Sequence, residues 1–136
     1  MPTTARISDD SINSLRLDVG ADAAGATVTF HGVVRDHDGG RDVRAIEYIG
    51  HPSAGDVIAA IVEEAAMRDG VISVGAVHRV GSLGIGDVAL VAAVSAAHRA
   101  EAFGACGWLV DEIKARLPVW KNQVFADGTT EWTGCP

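Results

Sequence analysis

The sequence predicts an α+β fold: a mainly antiparallel sheet with two main helices packed on it, as a single domain over residues 1–136. Three observations carry this. Two segments have apolar residues at helical spacing, and runs rich in β-branched residues flank each of them. The order reads β-β-α-β-β-α-β-β after a short preamble, without the strict alternation that a parallel α/β sheet requires. Hydrophobic residues make up 48% of 136 residues and charged residues 21%, enough apolar surface for one core without metal or disulfide staples.

Each element has a local reason. Thr4–Ser8 reads as a short strand, and Asp9 or Asp10 can cap a short helix over Ser11–Leu17. Val19–Gly25 is small and Gly/Ala-rich, a loop. Ala26–Val34 holds Thr27, Val28, Thr29, Phe30, Val33 and Val34, a strand. Arg35–Asp42 is polar with a Gly-Gly pair; it is expected to be a mobile loop, too long for a tight hairpin, with Val43–Ile49 as the returning strand. Pro52 and Ser53 open a helix to about Arg68, with Val57, Ile58, Ile61, Val62 and Ala65 as its buried stripe and Gly70 beyond its end. Val71–Val80 is a strand, Gly81, Gly84 and Gly86 mark a turn, and Asp87–Ser95 is a nearly continuous apolar strand covered on both faces. The second helix runs from about His98 to Leu117, with Phe103, Cys106, Val110, Ile113 and Leu117 as its stripe. Pro118 stops it, because proline lacks an amide and disfavours helix at the preceding residue. Val119–Phe125, an Asp-Gly turn and Thr130–Thr133 close the chain as a hairpin.

Composition excludes several functions. A net charge of −7 argues against general nucleic-acid binding, which needs a basic face to displace counterions. The longest nearly apolar run, Val88–Ala97, is about half a membrane span, and no signal peptide opens the chain. Cys106 and Cys135 form no CxxC pair, which fits thiols in a reducing cytoplasm. His31, His37, His51, His78 and His98 show no metal-ligand spacing, and neither a Walker loop nor a GxSxG elbow is present.

The positive groups are unequal: nine arginines against two lysines, Lys114 and Lys121, both within KARLPVWK. Lys114 falls in the last turn of a helix, where the dipole alone favours a cation. Pro118 turns the chain at once, so Trp120 and Lys121 could return beside the helix end. Two ammonium groups held close repel, which lowers at least one pKa toward neutrality and suits one lysine to proton transfer. His98-Arg99, at the start of that helix, would add an imidazole and a guanidinium to free helix amides, although a solvated pair explains them equally. Phe30 and Arg35 bracket a strand end where a ring could stack on a flat heterocycle and a guanidinium could enter a pocket. His78-Arg79 reads as a structural or interface pair. Cys106 lies on the buried stripe, as a core thiol.

These pieces, in this order, resemble the large, catalytic subunit of molybdopterin synthase. The matching stretches are TFHGVVRDHDGG (29–40), EYIGHP (47–52), VHRVGSLGIGD (77–87), SAAHRAEAF (95–103) and DEIKARLPVWK (111–121). The resemblance implies an α/β-hammerhead type of fold with a small additional β subdomain. It also implies conversion of cyclic pyranopterin monophosphate (precursor Z) to a dithiolene, with no cofactor. Sulfur would come from the C-terminal Gly-Gly thiocarboxylate of a small ubiquitin-like subunit, and two large subunits would form the central homodimer of a heterotetramer. By motif, Lys114 and Lys121 match the essential lysines. Phe30, Val33, Val34, Arg35, His98, Arg99, Lys114, Lys121, Asn122 and Gln123 match substrate-contacting positions, with Val33 standing where some members carry lysine. A docking module that receives the small partner's tail without turnover is the alternative function. A hotdog-like thioesterase would also combine a long helix with a sheet, but would not need two lysines flanking a proline.

Overall fold

The computed structural model describes residues 3–134. Among them the chain forms β1 (Thr3–Ser8), β2 (Ala26–Val33), β3 (His37–Asp38), β4 (Arg41–Gly50), α1 (Ala54–Ala66), β5 (Val71–Arg79), β6 (Gly81–Gly84), β7 (Val88–Ala96), α2 (Arg99–Arg116), β8 (Val119–Phe125) and β9 (Thr130–Gly134). The fold is α+β, and of the strand pairings only β1–β5 is parallel.

The first sheet has the order β1-β5-β7-β2. β7 lies inside it and is buried along its whole length, which explains its unbroken apolar sequence. Both helices cover one face. Ile58, Ile61 and Val62 of α1 and Leu109 and Ile113 of α2 pack with Val74, Ala76, Ala92 and Val94 of the sheet. The opposite face is covered by the segment after β1, where Ile12, Leu15 and Leu17 pack on Val77, Val88 and Val91. Leu109 is fully buried. Leu109→Ala is therefore expected to cost about 2–5 kcal/mol, read as a lower urea midpoint with an unchanged slope.

That covering segment is not the helix expected over Ser11–Leu17. A seven-residue helix is marginal alone, and here side chains compete for the backbone. The Asn13 amide donates to Asp87 Oδ1 at 2.8 Å, and its Oδ1 accepts from Val88 N at 2.8 Å. The Ser8 hydroxyl accepts from Asp10 N at 3.2 Å. These bonds hold Ile12 over the sheet, and the chain makes a single turn at 13–14, where Leu15 N donates to the Ile12 carbonyl at 3.1 Å.

The second sheet has the order β3-β4-β8-β9, with β6 also paired to β4. Two expectations fail here. β4 does not return along β2; β2 pairs with β7, and β4 pairs with β8 in register Tyr48↔Lys121 and Ile46↔Gln123. The path diverges after a register shift at Gly32/Val33, where Val34 N donates to Asp87 O at 2.9 Å. Nor is 35–42 an open loop. His37 pairs with Asp42 and Asp38 with Arg41 around Gly39-Gly40, whose φ values are 58° and 78°. Two consecutive left-handed residues make the two-residue turn that matches strand twist, and glycine supplies both without strain. The expected turn at Gly81–Gly84 is strand β6.

Both helices end as their sequences foretold. Gly70 adopts φ 78°, and a side chain there would strike the Glu101 carboxylate. Leu117 leaves the helix at φ −69°, ψ 121°, as the residue before a proline must. The α2 stripe differs in one respect: Phe103 is 65% exposed, and Ala102, Ala105, Cys106, Leu109, Val110 and Ile113 are the buried set. The small residues of the first turns let α2 lie close to the sheet and rotate Phe103 outward. Cys135 lies outside the described residues.

Candidate functional site

Where the two sheets part, a cavity of about 500 Å³ opens between the end of β2, the β3–β4 hairpin, the C-terminal end of α2 and β8. Its position follows from Pro118. The proline ends α2 with Lys114 in the last turn, and β8 then runs back across the helix end, held by His51 N donating to the Pro118 carbonyl at 2.9 Å. Lys114 and Lys121 therefore both line the cavity. Arg116, between them in sequence, points elsewhere: it pairs with both Glu64 carboxylate oxygens at 2.8 and 2.9 Å and so ties α2 to α1. That pairing holds the Glu64 carboxyl below its usual range.

Phe30, Val33, Val34 and Arg35, from the end of β2 and the residues just beyond it, also line the cavity. Phe30 is half-buried and packs on the main core. Val33 is 52% exposed at the rim, and Val34 is buried in the second core cluster beside Val43, Ile46 and Leu83. On β8 the two-residue period separates the three polar side chains. Lys121 and Gln123 face the cavity; Asn122 faces away and is not among the lining residues. Gln123 is 3% exposed, and its Oε1 has no hydrogen-bond partner among the described residues.

His98 and Arg99 do not reach this cavity within one chain. They begin α2, and Lys114 lies about 24 Å away along the helix axis at 1.5 Å per residue. There His98 Nδ1 lies 2.9 Å from Glu101 Oε1, with the imidazole largely exposed.

Asp38, Tyr48 and His78 also line the cavity and were not among the sequence candidates for the site. Asp38 sits 3.4 Å from Arg35 and is the cavity's one carboxylate among the described residues. A hydrogen bond from the Gln123 amide, assisted by the charges of Lys121 and Arg35, holds its carboxyl below the usual range. His78 is 7% exposed, on the helix-facing side of β5 with Val74 and Ala76. Its Nδ1 donates to the Arg79 carbonyl at 2.7 Å, because a carbonyl can only accept, so Nε2 is the acceptor nitrogen of the neutral ring. Tyr48 packs edge-on against it with ring centroids 5.0 Å apart. The period of β5 would have placed His78 on the inner face with the core residues; its reading as an interface pair obscured this.

Burial, reinforced by the charge of Lys114 and opposed by the Arg79 hydrogen bond, lowers the His78 pKa from 6.5. The folded state then binds fewer protons than the unfolded state, so the contribution of His78 is fully present above pH 6.5 and declines as pH falls below it. The depressed carboxylates Asp87, Asp127 and Glu64 act lower, below their ordinary values of 3.8 to 4.5. Unfolding free energies across pH 6.5 are expected to fall on the acid side, and His78→Phe is expected to flatten that slope.

Among the described residues no group of three or more His, Cys, Asp or Glu side chains could hold a metal, and no helix is long and apolar enough to cross a membrane. Cys106 is buried and its thiol is pushed up by burial, a packed side chain rather than a nucleophile.

The family model for the MoaE protein matches residues 3–116, taking in the first sheet, both helices and Lys114. This chain belongs to the MoaE family. A molybdopterin synthase catalytic subunit from Thermoplasma volcanium is 35% identical over 133 residues, covering 96% of this chain and 97% of the relative. One from Cereibacter sphaeroides is 45% identical over 114 residues, covering 83% and 76%. The crystal structure of molybdopterin synthase from Staphylococcus aureus superposes with a TM-score of 0.85 at 32% identity, over 96% of each chain. MoaE membership makes the chain a catalytic subunit of molybdopterin synthase, an enzyme of molybdenum cofactor biosynthesis.

Proposed function

We propose that the cavity binds cyclic pyranopterin monophosphate and installs the dithiolene of molybdopterin, with sulfur from the C-terminal Gly-Gly thiocarboxylate of a small ubiquitin-like subunit. The observation that carries this reading is the convergence of Lys114 and Lys121, from a helix end and a strand, on one cavity of about 500 Å³ in a chain of net charge −7. The substrate joins a phosphate to a flat pterin. Lys121 and Arg35 supply charge for the phosphate, and Phe30 supplies an aromatic face. A thiocarboxylate arrives already activated, so the chain needs no cysteine of its own. Its tasks are positioning, stabilising developing negative charge and moving protons, and Lys114 at the end of a rigid helix is the group for the last two.

The same reading explains His98 and Arg99. They lie a helix length from their own Lys114, so they serve the cavity of a second copy, with two chains forming a homodimer and one small subunit docking at each end. The whole chain, 1–136, acts as one such unit in the cytoplasm, where its cysteines stay reduced. Light scattering is expected to show a dimer alone and a heterotetramer with the partner. A monomer alone, with no larger species when the partner is added, would remove the shared site. The deciding experiment mixes this chain, the thiocarboxylated partner and the pyranopterin, and measures dithiolene product. Partner binding without product would leave a docking module.

A further inference from the structure

Asp38 is an anomaly in a cavity that otherwise offers cations to an anionic substrate. As the one carboxylate among the described lining residues, it should weaken phosphate binding unless it meets a donor. Beside it in the cavity lining, Gln123 interacts with the Asp38 carboxylate through its amide and has its Oε1 buried without a partner among the described residues. A buried unpaired acceptor costs free energy, and a ligand donor that reaches it recovers that cost. We propose that Asp38 and the Gln123 carbonyl form the subsite that reads the donor edge of the pterin, its ring N–H and exocyclic amino group. This rests on the pyranopterin reading above and adds to it the residues that recognise the heterocycle.

The chemistry is complementary. An ionised carboxylate accepts two parallel hydrogen bonds from an –NH–C(NH₂)– edge, as it does from a guanidinium, and Oε1 can take one more. Asp38 has lone pairs to spare: its side chain is 42% exposed, and its Arg35 contact is long, at 3.4 Å. Its depressed pKa keeps it an acceptor throughout the neutral range. The Gly39-Gly40 turn sets its place by fixing the hairpin beside β8. Anchoring the pterin edge at Asp38 and Gln123 orients the substrate within the cavity.

The test compares the intact chain with Asp38→Asn and Gln123→Met, after circular dichroism and thermal melts confirm folding. Four ligands are titrated: cyclic pyranopterin monophosphate, 6-hydroxymethylpterin, 6-hydroxymethyllumazine, which carries oxygen in place of the amino group, and pyrophosphate. The intact chain is expected to prefer the pterin over the lumazine by about tenfold or more, the scale of a charge-assisted hydrogen bond. Asp38→Asn should lose a similar factor in substrate affinity and most of this preference. Its affinity for pyrophosphate should hold or rise, which a collapsed hairpin would not produce. Equal binding of the two pteridines by the intact chain, or unchanged substrate affinity in Asp38→Asn, overturns the assignment. If those results come from a chain that still binds the pyranopterin and forms dithiolene, only the subsite falls. If the intact chain does neither, the proposed function falls, and the subsite with it.

Discussion

Lys114→Ala is expected to lower single-turnover dithiolene formation at saturating substrate by about 100-fold or more, the scale of losing an acid–base or electrostatic group. The fold should be unaffected, since the side chain is exposed at the cavity and has no hydrogen bond to protein among the described residues. Lys114→Arg should not rescue, because a guanidinium holds its proton throughout the working range and cannot match a compact ammonium. Lys121→Ala should lose activity with a larger share in substrate affinity, since Lys121 stands beside Gln123 and Asp38 on the binding side. Near-normal turnover in Lys114→Ala would remove the residue from the mechanism. Full activity in Lys114→Arg would show that fixed positive charge suffices and that it transfers no proton.

Arg99→Ala gives the second large effect and tests the geometry of the dimer. Its substrate affinity should fall by about 1.5–3 kcal/mol, the usual range for a charged hydrogen bond. At substrate concentrations well below the Kd of Arg99→Ala, mixing Arg99→Ala chains with Lys114→Ala chains should then restore activity that neither has alone. In a mixed dimer one of the two cavities draws Lys114 from one chain and Arg99 from the other, both intact. Random exchange should recover up to about a quarter of the intact rate. If each chain served its own cavity, no mixed dimer would contain an intact site, and the mixture would stay as inactive as its parts. Unchanged affinity in both Arg99→Ala and Arg35→Ala would place the phosphate elsewhere.

The candidate site was legible where its residues carry local signals. Lys114 and Lys121 stand out as the only lysines in the chain, and Pro118 between them forces the helix end and the return that bring both to one cavity. Phe30, Val33, Val34 and Arg35 were legible as a strand end. Asn122 was grouped with its neighbours although strand alternation alone turns it to the other face. Asp38 was hidden because RDHDGG read as a mobile loop, when its two glycines build a tight turn. His78 was hidden because a histidine beside an arginine looks like surface, whereas its partner, the Arg79 carbonyl, is a backbone group that sequence does not display.

By itself the sequence determined the family, both helices with their ends, most strands and the two lysines. These depend on residues near one another in the chain: apolar spacing, a glycine past a helix, a proline that forbids the next turn. Only the tertiary structure decided that β4 pairs with β8 rather than β2, that 11–17 covers the sheet without forming a helix, and that Phe103 faces solvent. It alone left Gln123 Oε1 without a partner beside Asp38. Each of these depends on contacts between residues far apart in sequence. Local periodicity shows that a face is apolar or polar, and long-range packing decides which surface that face meets.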